Sequence, residues 1–109
     1  MNILFICSAN RDRSRTAELH FQNKYPQHRF RSAGINKYLS ERHGGIHLKN
    51  YMLDVADRII CMELVHSNWI VENIDKKYLS KIEILHIGDT DVFMSSTLIS
   101  ALEEKFTIK

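Results

Sequence analysis

Residues 3–7, ILFIC, are apolar without a break, and they stop at a cysteine. A strand with no polar alternation predicts burial on both faces, so the chain needs layers above and below a sheet. Six small or polar residues follow, Ser8-Ala9-Asn10-Arg11-Asp12-Arg13. From Ser14 the pattern turns helical: Ala17, Phe21 and Tyr25 recur every four residues on one face, and Pro26 stands just past the end. Strand, short polar loop and helix are thus written in the first 25 residues.

The rest of the chain repeats that alternation. RFRSAG (29–34) reads as a second strand, and residues 35–47, with little periodicity and Gly44-Gly45, read mostly as loop. LKNYMLDVAD (48–57) reads as a short helix and RIICM (58–62) as a third strand. ELVHSNWIVENI (63–74) reads as a helix, with Trp69 in the core, and KIEILHI (81–87) as a fourth strand. GDTDVFM is a loop, and SSTLISALEEKF closes as a helix with Ser95 or Ser96 at its N-cap and Leu98, Leu102 and Phe106 aligned. Alternating strands and helices predict a parallel sheet covered on both faces, with ligands bound beyond the carboxyl ends of its strands. Cys7 stands at such an end.

A chain of 109 residues fits one domain, 1–109, able to bury a core without staples. Its formal charge of +2 does not mark a nucleic-acid binder. Two cysteines, Cys7 and Cys61, make no disulfide framework. The apolar run after Met1 is too short for a signal sequence or membrane helix, so a cytoplasmic location with free thiols is expected.

The loop carries the chemistry. A strand-to-helix loop points backbone N–H groups inward at the positive end of a helix dipole, which favours an anion and a thiolate alike. Arg13 adds a two-donor fork suited to phosphate oxygens. Ser14 can donate to the sulfur, and Asn10 tolerates the left-handed backbone such a loop needs. Alternatively, Cys7 is a small buried hydrophobe and Arg13 a solvated first-turn residue.

ILFICSANRDRSRTAE resembles the phosphate-binding loop of the low-molecular-weight protein tyrosine phosphatases, with Cys-x5-Arg-Ser after an apolar strand and Ala17-Glu18 in the helix. RSAG (31–34) and ADRIICM (56–62) resemble that family's second and third strands. The resemblance implies a flavodoxin-like α/β fold, a three-layer sandwich on a four-stranded parallel sheet. It implies Cys7 as nucleophile and Arg13 as oxyanion clamp. Phosphate would be held by the loop backbone from Ser8 through Ala9, Asn10, Arg11 and Asp12, with Asn10 steadying the loop and Ser14 the thiolate. The implied activity is hydrolysis of phosphotyrosine or another aryl phosphate, with no cofactor or metal, on a phosphorylated protein or small aryl ester.

The chain departs from the family in being shorter than typical members, in having Asp12 where eukaryotic members have a second cysteine, and in lacking the late Asp-Pro-aromatic motif. Asp12 adds negative charge near the anion unless it points away or pairs with Arg11 or Arg15. For the general acid, Asp89 is favoured because it follows the fourth strand directly, and Asp91 is the second choice. Tyr38 and Phe93 are candidate pocket walls, and loop packing is the plainer role for each. The alternatives are arsenate reduction, for which Cys61 is the one spare thiol, and a non-catalytic phosphate- or phosphoprotein-binding module.

Overall fold

A computed structural model describes residues 1–108. The elements are β1 (Asn2–Cys7), α1 (Arg13–Lys24), β2 (Arg29–Gly34), α2 (Lys37–Arg42), α3 (Asn50–Val55), β3 (Arg58–Cys61) and α4 (Leu64–Asn73). A 3₁₀ helix (Lys76–Lys81), β4 (Ile82–Ile84) and α5 (Ser96–Lys105) complete them. The four strands are parallel in the order β2-β1-β3-β4, with Cys7 level with Gly34 and Ile6 level with Cys61. Chain order runs outward from β1 in both directions, so the switch point lies at the end of β1, where Cys7 sits.

Because β1 is flanked by strands on both sides, its two faces feed two cores. Ile3, Phe5 and Cys7 face α1 and α5 and join Phe21, Leu98 and Phe106. Leu4 and Ile6 face the other way and join Leu53, Cys61 and Ile70 under α3 and α4. This is the expected three-layer sandwich. Phe5 anchors the first core, its ring 5.8 Å from Phe21 and 5.2 Å from Phe106. Phe21 is fully buried, and its truncation to alanine costs about 3–5 kcal/mol.

Two elements and one residue differ from the sequence reading. Residues 35–47 are not mostly loop, because α2 forms within them, capped by the Asn36 side chain accepting from the Leu39 N–H. Of its six residues only Ser40 is buried, so it shows no apolar stripe to read. The fourth strand is shorter than 81–87: left-handed backbone at His86 (φ 58°) breaks the pleat. Leu85 and Ile87 still donate to the Cys61 and Met62 carbonyls. Trp69 is only half-buried, edge-on to His47 at the margin of the second core. Ser95 is the cap of α5, as expected, its hydroxyl accepting from the Leu98 N–H.

Candidate active site

The loop from Cys7 to Ser14 is fixed from outside by the extension of β2. The Cys7 and Ser8 carbonyls accept from the Ile35 and Asn36 N–H groups at 3.0 and 2.9 Å. That approach demands Gly34, since a Cβ there would lie 2.2 Å from Ser40 Oγ and 2.8 Å from the Asn10 nitrogen. Among the described residues, no backbone hydrogen bond outside the helices and strands uses an N–H of residues 8–13 as donor. Those donors stand at the N-terminus of α1, where an anion is favoured.

From inside, the loop is fixed by Asn10, which is buried with left-handed backbone (φ 49°). Its Nδ2 donates to Ser14 Oγ at 2.8 Å and to Ser32 Oγ at 2.9 Å, and its Oδ1 accepts from the Ile46 N–H at 2.8 Å. Ser32 in turn donates to Glu18. Because Ser14 Oγ accepts from Asn10, its own proton is free to point at Cys7 Sγ, 2.9 Å away. Asn10 thus donates along two branches, one through Ser14 towards the sulfur and one through Ser32 to Glu18.

Arg13 is 2% exposed. Its Nη1 donates to Glu63 Oε2 at 2.5 Å and to the Ile87 carbonyl at 2.9 Å. Both bonds leave from Nη1, so neither occupies the Nε–Nη2 edge, the one suited to a bidentate oxyanion. Asp89 Oδ1 lies 3.8 Å from Nε, on a carboxylate that is 64% exposed.

Glu63 and His66 are neighbours of the loop that sequence reasoning missed. Both follow β3, the strand beside β1, and so arrive at the same sheet edge as Cys7; that adjacency was the available signal. His66 Nδ1 accepts from the Glu63 N–H at 3.0 Å, which leaves the ring proton on Nε2, 3.1 Å from Ser8 Oγ. Burial, and then the charge of Arg13, push His66 down to about 4, so the ring is neutral near pH 7.

An open cleft lies over Cys7, Ala9 and Arg13, with Arg11, Asp12 and Asp89 at its rim. Leu39 and His43 wall it, both on or next to the unexpected α2. Tyr38 is 60% exposed and does not line it; its hydroxyl accepts from Arg42 instead. Phe93 lines an adjoining shelf with Arg11, Arg15 and Val92, the Arg15 guanidinium 5.9 Å from its ring centre. Asp91 is not part of the cleft lining. Asp12 pairs with neither Arg11 nor Arg15; its Oδ1 accepts from the Phe93 N–H at 2.9 Å. Cys61 belongs to the opposite core, and burial pushes its thiol up to about 12. Among the described residues no group of three or more His, Cys, Asp or Glu could hold a metal ion.

No family model matches the chain, and no curated protein matches it by sequence. Solved structures do. The YwlE arginine phosphatase from Geobacillus stearothermophilus is 25% identical, with a TM-score of 0.66 over 95% of this chain and 91% of that one. The tyrosine phosphatase Wzb from Escherichia coli K30, solved in complex with phosphate, is 21% identical, with a TM-score of 0.74 over 95% and 91%. A low molecular weight protein tyrosine phosphatase from T. tengcongensis is 22% identical, with a TM-score of 0.68 over 97% and 99%. The chain has the fold of the low-molecular-weight protein tyrosine phosphatases.

Proposed function

We propose that this protein is a cysteine-dependent phosphatase acting on phosphotyrosine or another aryl phosphate. One observation carries the reading: a cysteine hydrogen-bonded to Ser14 lines one cleft with a fixed, buried arginine and an exposed carboxylate, Asp89. Cys7 Sγ attacks phosphorus, and the bond from phosphorus to the aryl oxygen breaks. The departing oxygen takes a proton from Asp89. Arg13 and the backbone N–H groups of residues 8–13 hold the equatorial oxygens of the transition state. Water then attacks the phosphocysteine, giving its proton to the Asp89 carboxylate, and the sulfur–phosphorus bond breaks to release inorganic phosphate.

The rim favours an aryl ester over a phosphorylated guanidinium. Arg11 and Arg15 repel a cationic leaving group, whereas Phe93 offers an aromatic ring a stacking face. Arsenate reduction fits less well, because Cys61 lies across the sheet from Cys7 and offers no relay within the chain. A binding module has no need of Asp89 at the mouth. Among the described residues no helix is long and apolar enough to cross a membrane. A nucleophilic thiol suits a reducing compartment, and we assign the protein to the cytoplasm with phosphorylated proteins or small aryl phosphates as partners.

The test is hydrolysis of p-nitrophenyl phosphate by the wild type and by Cys7→Ser. The expected loss of turnover in the variant is at least about 10⁴-fold, with circular dichroism unchanged. A Cys7→Ser protein retaining a tenth or more of the activity would falsify the assignment.

A further inference from the structure

Asp12 occupies the N-cap position of α1, where a carboxylate ordinarily accepts from the first-turn amides, yet it makes no such bond. It reaches instead to the Phe93 N–H at 2.9 Å. Thr16, one turn further along the same helix face, is buried, and its Oγ1 accepts from the Met94 N–H at 2.9 Å. Met94 has left-handed backbone (φ 60°), which this bond helps to hold. At the other end of the same loop, Ile87 is fastened by Arg13 through its carbonyl. The phosphate loop and its helix therefore grip the loop after β4 at entry and exit. Only residues 88–92 span between the grips, and Asp89 is among them.

We propose that Asp12 and Thr16 are positioning residues that clamp the loop bearing Asp89 over Cys7, an inference that rests on Asp89 acting as the general acid. The clamp gives Asp12 a purpose that outweighs its unfavourable charge beside the anion. The carboxylate is spent on a backbone N–H of the acid loop, so the element that binds phosphate also sets the reach of the acid.

The test has two readouts on the wild type, Asp12→Ala, Asp12→Asn and Thr16→Val. The first is amide hydrogen exchange. The Phe93 amide in Asp12→Ala and the Met94 amide in Thr16→Val should exchange about tenfold faster than in the wild type, and Asp12→Asn, which keeps an acceptor, should restore protection at Phe93. The second is kcat/KM on phosphotyrosine and on p-nitrophenyl phosphate, whose phenolate leaves with little need of a proton. Asp12→Ala and Thr16→Val should each lose about tenfold on phosphotyrosine and several-fold less on the activated ester. Unchanged exchange at Phe93 and Met94, or equal losses on both esters, overturns the clamp. If the wild type turns over neither ester, the phosphatase reading fails, and the exchange data still decide whether the clamp exists.

Discussion

The two loops that meet over Cys7 are built in opposite ways. In residues 7–14 the bonded side chains lie inside: Cys7, Asn10, Arg13 and Ser14 are buried, and the polar atoms of the last three bond to one another, to β2 and to Glu63. Residues 88–94 are mostly exposed and depend on contacts borrowed from α1. The difference matches the tasks proposed for them. Transition-state stabilisation needs donors that do not reorganise, and the many bonds to Asn10 and Arg13 make the first loop the rigid one. A proton donor must admit the ester, meet its leaving oxygen and then receive water, so its loop is open and held by few bonds.

Substitutions in the two loops should therefore fail differently. Arg13→Lys, which keeps the charge and loses the fork that Glu63 and Ile87 orient, should lower kcat/KM about 10²–10³-fold on every ester. Asp89→Asn should cost about 10²-fold on phosphotyrosine and much less on p-nitrophenyl phosphate. A uniform loss in Asp89→Asn would place that residue with the rigid loop and break the contrast. Parallel kinetics on the two esters check both substitutions.

A third substitution probes what lies beneath the rigid loop. His66 has an ordinary pKa of 6.5 and sits near 4 in the fold, so the unfolded chain binds its proton more readily. Stability is then complete above pH 6.5 and falls as pH drops towards 4, by about 2 kcal/mol between pH 7 and pH 5. His66→Gln should flatten that slope, as urea midpoints at the two pH values will show. The smallest effect is expected at Cys61, across the sheet. Cys61→Ala should cost about 1 kcal/mol of stability and leave kcat unchanged, whereas a loss of turnover would revive a thiol relay.

The rigid loop was legible in the sequence and the open one largely was not, for the same reason. Cys7, Asn10, Arg13 and Ser14 lie within one strand-loop-helix unit, so their placement follows from local spacing, including the left-handed backbone expected of Asn10. The layered fold followed from periodicity, since β1 is buried on both faces. Glu63, His66, Leu39 and His43 reach the site only through tertiary packing. The Asp12–Phe93 bond joins residues 81 positions apart, so sequence spacing could pose the problem of Asp12's charge without answering it. Short α2 escaped because an exposed six-residue helix carries no apolar stripe.

The central claim is that Cys7 takes the phosphoryl group. Asp89→Asn is the variant in which to look, because it slows release of the intermediate more than its formation from an activated ester. Mixed rapidly with p-nitrophenyl phosphate and quenched in acid, it should give a burst of about one p-nitrophenolate per chain, with the phosphoryl group located on Cys7 by mass spectrometry. A phosphoryl group on any other side chain, or steady turnover with neither burst nor adduct, would contradict the account.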